Sequence, residues 1–431
     1  MSKFSSLTPY LIGLVLILIP LYPKFPLFGV SGTFVAVRLE DFVLALVFIV
    51  WAMLHAKSTF TRLQSLPVHR AILIYLSIGA VSLFSAIFLT KTALLSQGTL
   101  HLLRRFEYMA LFFISFDFLK SKEDLHFLIR TLIVTAFIVA LYGLGQQFLA
   151  FPIISTTNSE FSKGFALTLG ESARINSTFA GHYDLAAYSV FPLLLILGLL
   201  MTPVRFKPLL WLSGSLIYWT MLLSASRVTF AAFFVTAGLF VLIMRRYSWL
   251  VPLAIAAIVG ILITPQLLGR YREFVVNHLF SFVPTVSAMA VDDQTADALK
   301  PPSVPEDRSL NIRLHVEWPR AVRAVTKNPV LGTGYSSITL ATDNDYLRNL
   351  GESGILGFLA FGLIIIRFFK SSLIYVTTPP TSLSGVFVLS VTLGLVGLLL
   401  NAVFIDVFEA SKIAIITWTL LGLAQKAKSF T

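Results

Sequence analysis

Long apolar runs, separated by shorter polar segments, recur along the whole chain. The hydrocarbon core of a bilayer, roughly 30 Å thick, takes about 20 mostly apolar residues per helical crossing. On that scale the runs predict about twelve membrane-spanning helices. They fall near 8–23, 40–56, 71–89, 107–119, 131–150, 185–202, 209–224, 228–244, 249–264, 353–368, 384–404 and 412–424. Leu11 to Pro20 follows Lys3 and no small-residue cleavage site comes after it, so the first run reads as a retained helix. The expected fold is all-α and polytopic.

The polar segments alternate in character. Lys57, Arg62 and Arg70; Lys120, Lys122 and Arg130; Arg205 and Lys207; Arg245 and Arg246; Arg367 and Lys370; and Lys426 and Lys428 all fall on one side of the predicted membrane. The excess of lysine and arginine marks that side as cytoplasmic, and an even number of crossings puts both termini there. The opposite face carries the longer loops, near 24–39, 90–106, 151–184 and 265–352. Loops of that length in a packed fold are usually functional. The chain thus divides into spans over 1–264, a large extracytoplasmic loop over 265–352, and the last spans over 353–431. Within the large loop, Gln266 to Phe282 reads as amphipathic, Val291 to Asp307 as polar, Pro-rich and mobile, and Leu310 to Val325 as helical, with Pro329 ending that helix.

Composition sharpens this picture. Of 431 residues, 56% are hydrophobic and 13% charged, where an ordinary soluble domain has about half and a quarter. The formal charge of +12 sits in short clusters between apolar runs, which argues against a nucleic-acid partner. There is no cysteine, so disulfides, thiolate metal sites and thiol nucleophiles are excluded. No metal-ligand spacing stands out, and no cofactor is expected. Asp292 and Asp293 lie in the stretch that reads as mobile.

The candidate chemistry lies in four segments of the extracytoplasmic face, which keeps many arginines against the topological bias: Arg38, Arg104, Arg105, Arg174, Arg227, Arg270, Arg272, Arg308, Arg313, Arg320, Arg323 and Arg348. Ser224-Ala225-Ser226-Arg227 is a polar interruption between two apolar runs. A guanidinium at a membrane boundary suits bidentate contact with phosphate oxygens, although a snorkelling arginine on lipid headgroups would look the same. The second segment, Arg313 to Trp318, places Arg313 and Glu317 on one helix face. It leads into Asn328 to Gly334, whose two glycines permit a tight turn and close backbone approach; an interfacial helix and turn is the plainer alternative. The third, Asp343 to Gly357, is a polar cluster feeding a span, where Asp343 is a candidate general base or the N-cap of a short helix. The fourth, Arg174 to Asp184, contains His182, a candidate base or substrate contact.

Taken together, these segments resemble the O-antigen ligase and O-antigen polymerase superfamily of bacterial envelope glycosyltransferases. The likeness rests on Arg174 to Ala187, Ser226-Arg227, Arg313 with Trp318, Asn328 to Gly334, and Asn344 followed after nine residues by Gly354 and Gly357. Asp343 stands where ligases of the superfamily have histidine, which turns the expectation toward polymerase-like activity. The resemblance implies a GT-C-like helical membrane enzyme in the bacterial inner membrane that acts without a metal and inverts the anomeric carbon. Its donor would be a polyprenyl-diphosphate-linked glycan and its acceptor a glycan or lipid. Arg227, Arg313 and Asp343 are then the expected catalytic residues, and Arg174, His182, Arg104, Asn344, Tyr346 and Arg348 the substrate contacts. Ligation to a lipid or protein acceptor is one alternative. A lipid-linked oligosaccharide flippase is another, disfavoured because the span interiors carry little charge.

Overall fold

The computed structural model describes residues 7–23, 26–29, 36–55, 61, 63–153, 174–264, 313–338 and 342–430. Among these, thirteen α-helices form: α1 Thr8–Leu21, α2 Leu39–His55, α3 Pro67–Phe84, α4 Leu95–Phe118, α5 Lys122–Phe148, α6 His182–Leu200, α7 Lys207–Leu223, α8 Arg227–Ile243, α9 Leu250–Ile263, α10 Trp318–Lys327, α11 Asp345–Thr377, α12 Leu383–Asn401 and α13 Ser411–Ala427. Five of the helical segments, over Pro67–Leu89, Lys122–Phe148, His182–Leu200, Asp345–Thr377 and Leu383–Asn401, are long and apolar enough to cross a membrane. The protein is therefore a membrane protein. The expected segments 266–282 and 291–307, with Arg270, Arg272, Asp292, Asp293 and Arg308, lie outside the described residues.

The bundle has two ends of different chemistry. At one end, Thr8 donates to the Phe118 carbonyl, Trp51 Nε1 donates to Asp117, and Lys428 and Gln425 meet Ser371. The loops there carry Lys120, Lys122, Arg205, Lys207, Arg245 and Arg246. At the other end, the buried Lys412 ammonium donates to the carbonyls of Pro20 (3.2 Å) and Thr178 (2.8 Å). That one cation ties the C-terminus of α1, the segment before α6 and the first turn of α13. It also lies 4.9 Å from the Phe179 ring. Helices α6, α12 and α13 are buried along most of their length, while the outer helices turn residues such as Met53, Phe88, Val251 and Leu359 outward, the surface expected toward lipid.

Three elements depart from the expectation. The loop predicted over 90–106 is mostly helix, because α4 begins at Leu95. His101, Arg104 and Arg105 break its apolar pattern, but Arg105 is buried against two carboxylates, so the polar residues belong inside the helix. The predicted loop over 24–39 contains a short antiparallel pair, β1 Pro26–Gly29 with β2 Ala36–Arg38. Helix α11 starts at Asp345 rather than near 353 and runs for 33 residues, broken at Gly354, whose φ of 66° and ψ of −171° are not helical.

Candidate active site

The break in α11 organises this end of the molecule. A helix interrupted at one residue leaves carbonyls before the break and N–H groups after it without their usual partners. Here the Asn328 to Gly334 segment supplies them. Thr333 N donates to Gly351 O and Gly334 N to Glu352 O, both at 2.9 Å, while Ile355 N donates to Pro329 O at 2.9 Å and Leu356 N to Val330 O at 3.3 Å. Ser82 of α3 adds a hydroxyl shared between Leu331 O (2.5 Å) and Glu352 O (2.9 Å). This approach requires glycine: a Cβ on Gly332, at φ 73°, would stand 2.5 Å from the Glu352 carbonyl. The glycines at 332 and 354 thus face each other, and the first part of α11 lies in a direction set by the break.

Immediately before that helix, Asp343 and Arg313 form an ion pair. Arg313 Nη2 and Nε donate to the same oxygen, Oδ2, at 2.7 and 3.0 Å. Arg313 belongs to a π-helical turn, Arg313–Glu317, that leads into α10, and its side chain is buried. Its guanidinium also lies 5.8 Å from the centroid of Tyr183. The Tyr183 ring lies tilted against that of His182, the first residue of α6, with centroids 4.0 Å apart, and His182 Nε2 is 2.8 Å from Arg174 Nη1. Because a guanidinium only donates, His182 Nε2 accepts this bond and is unprotonated there. Two arginines, a histidine, a tyrosine and a carboxylate from three distant stretches of sequence therefore form one cluster. Burial pushes the Asp343 carboxyl above the usual range, and the Arg313 charge and hydrogen bonds only partly offset this. Glu317 is pushed up to about 7, first by burial and then by Asp343, with Arg313 opposing.

Beneath this cluster lies a second, more deeply buried charge network. Arg348 Nη1 donates to Asp406 Oδ2 at 2.9 Å, and its Nε lies 3.5 Å from Glu352. Arg105 reaches Glu352 at 3.3 Å and pairs with Glu409; its guanidinium also covers the Tyr335 ring at 4.8 Å. Burial raises the Glu409 carboxyl, but Arg105, Arg348 and His101 more than offset it and hold the group below its ordinary value. Asp406 and Glu409 both lie in the segment between α12 and α13. The sequence reading missed Asp406, Glu409, Lys412 and Tyr183; Lys412, a lone cation opening an apolar run, was the one visible signal among them.

The remaining expected site residues separate. Asn344, rather than Asp343, caps α11, its side chain accepting from Leu347 N at 3.0 Å. Tyr346 donates its hydroxyl to the Leu399 carbonyl at 2.7 Å, and Arg348, expected as a substrate contact, is drawn inward by Asp406 and Glu352. Arg104 lines a cavity of about 340 Å³ between α2 and α4, among Asp41, Glu107 and apolar side chains. Arg227 opens α8 after a tight turn in which Ala225 adopts φ 51°. Ser226 bonds to Thr229 at 2.8 Å, and Thr229 donates to Asn401, the last residue of α12, at 2.6 Å. The next carbonyl, Ala402 O, accepts from Asp345 N at 2.9 Å. Arg227 is thus at the same end of the bundle as the Arg313–Asp343 pair, linked to it through the end of α12.

Comparison with known families matches residues 209–362 to the family described as O-antigen ligase. This stretch is an O-antigen ligase family domain. The matched region runs from α7 into the second half of α11 and contains Arg227, Arg313, Asp343, Asn344, Tyr346 and Arg348. Arg174, His182 and Arg104 lie outside it, so the ligase-family domain closes its cluster with residues from the preceding part of the chain. No curated protein matches the sequence.

Proposed function

We propose that this O-antigen ligase family protein is a membrane glycosyltransferase that polymerises or transfers polyprenyl-diphosphate-linked glycan units at the extracytoplasmic face of the bacterial inner membrane. The observation that carries the reading is the Arg313–Asp343 pair, joined to Arg174 and His182 and set at the same end of the bundle as Arg227. That end is opposite the loops rich in lysine and arginine, which supports an extracytoplasmic site and cytoplasmic termini. In this reading every helix but α10 crosses the membrane, with 265–352 as the external loop.

An acceptor hydroxyl attacks the anomeric carbon of the donor as the bond from that carbon to the diphosphate oxygen breaks, inverting the centre. Asp343 takes the hydroxyl proton, and polyprenyl diphosphate leaves with the electron pair. Negative charge grows on the diphosphate oxygens, where preorganised cations lower the barrier. Arg313, Arg227 and Arg174 supply these charges, so the step needs no metal ion. A diphosphate that engages Arg313 releases Asp343 Oδ2 from its cation, and a carboxylate that loses a nearby positive charge becomes the stronger base. Arg104 faces its own cavity between α2 and α4.

The test uses the purified protein in lipid nanodiscs with a lipid-linked oligosaccharide donor. Arg313→Ala and Arg227→Ala should each lower turnover by roughly 10²–10³, the usual loss for one preorganised contact of this kind. Wild-type output from both would remove the assignment. The description of the matched family favours a second reading, ligation to a lipid or protein acceptor. A ladder of lengthened lipid-linked products marks polymerase activity, whereas label appearing only on the added acceptor marks ligation.

A further inference from the structure

Asp343 adopts a left-handed backbone conformation, with φ 49°. An L-residue enters that region against a steric cost and remains there only when its surroundings hold it. The restraint comes from an element 62–64 residues away in sequence. Asp406 accepts the N–H of Thr342 at 3.2 Å and the N–H of Asn344 at 2.9 Å, the two amides that flank Asp343. Its own carboxylate is fixed by Arg348 Nη1 at 2.9 Å. The same α12–α13 segment grips the next residue from both sides: Asp345 N donates to Ala402 O, and Asp345 Oδ2 accepts from Phe408 N at 3.0 Å. These contacts converge on the residue that points its carboxylate at Arg313.

We infer that Asp406 is a positioning residue for the Asp343 carboxylate, setting the orientation of the base against Arg313 through the two amides on either side. It deepens the glycosyltransferase reading and rests on it for its effect on rate, though not for its structural part. A carboxylate is suited to this role because two oxygens can accept three donors from different directions, and one is charged, which strengthens all three bonds. Asparagine at 406 keeps one acceptor and turns an N–H toward the remaining donors.

Two measurements on the full-length protein in nanodiscs test it. Hydrogen exchange of peptides covering Thr342 to Tyr346 should accelerate at least tenfold in Asp406→Asn, while peptides from α6 and α12 keep wild-type protection; unchanged exchange at 342–346 overturns the inference. Turnover should fall by roughly 10², the cost of a small misplacement of a reacting group. In an Asp343→Asn background the same substitution should then change turnover by less than about twofold, because the carboxylate it orients is gone. An equal loss in both backgrounds means that Asp406 acts by another route and also overturns the inference. If Asp343→Asn itself has wild-type turnover, the assignment of the base fails, while the exchange result still decides whether Asp406 holds the segment. Should Asp406→Asn not fold, Asp406→Glu carries the same two readouts, since it keeps the charge but displaces both oxygens by a methylene.

Discussion

Replacing Gly354 by alanine attacks the contact on which the cluster is built. At φ 66° an L-residue is strained, and the added Cβ would stand 2.6 Å from Gly332 N and closer still to the Val330 carbonyl. These are backbone atoms in a segment pinned on both sides, so no side chain can swing away to make room. Holding an L-residue at φ 66° and ψ −171°, a region reserved to glycine, costs about 1–3 kcal/mol. Pushing the Asn328 to Gly334 segment aside puts at risk four backbone hydrogen bonds, which are worth about 1 kcal/mol each. The combined penalty is on the order of 5 kcal/mol, comparable with the whole stability of many domains. Gly362→Ala, in the same helix, is the control: a Cβ there meets nothing within 4 Å, so it should be neutral or stabilising by about 0.5–1 kcal/mol. Thermal unfolding in nanodiscs, followed by intrinsic fluorescence, separates the two. If the two variants melt together, the broken helix is not held as described.

Three further perturbations probe the surrounding parts. Lys412→Met leaves the Pro20 and Thr178 carbonyls without this donor and should destabilise the fold by about 3 kcal/mol, at 1–3 kcal/mol per buried group left unpaired; tryptic cleavage after Arg174 should speed up, and an unchanged digestion rate counts against the tie. Arg105→Met takes the ion-pair partner from Glu409 and leaves Glu352 with Arg348 alone, and should cost about 3–5 kcal/mol, read as a lowered unfolding temperature at neutral pH. Glu317 titrates at about 7 in the fold, against an ordinary value near 4.5. The folded state therefore holds a proton that the unfolded chain releases, and the stability this contributes is present below about 4.5 and lost as pH rises through about 7. Unfolding measured from pH 4.5 to 8 should be less pH-dependent in Glu317→Gln than in the parent, and parallel curves would refute the assignment.

How far the sequence discloses this site depends on where each residue finds its partner. Spans are legible because lipid imposes one rule on every residue that faces it, and the apolar runs at 185–202 and 384–404 reappear within a few residues as α6 and α12. The start of α4 is not, because its pattern is interrupted by Arg105, whose compensating carboxylates lie 247 and 304 residues away. The glycines of Asn328 to Gly334 announce a close backbone approach, yet nothing local says that the backbone approached is at Gly354. Asp343 and Arg313 draw notice as charges beside apolar runs, and the structure pairs them. Asp406 draws none: it is a single acid after an apolar run, with ordinary neighbours, and its importance exists only once Thr342 and Asn344 are brought to it. The candidate catalytic charges are thus readable one at a time, while the residues that would orient them are defined by tertiary contacts alone. Substitutions in that second group should therefore alter turnover through geometry, which is what the paired Asp406 and Asp343 variants measure.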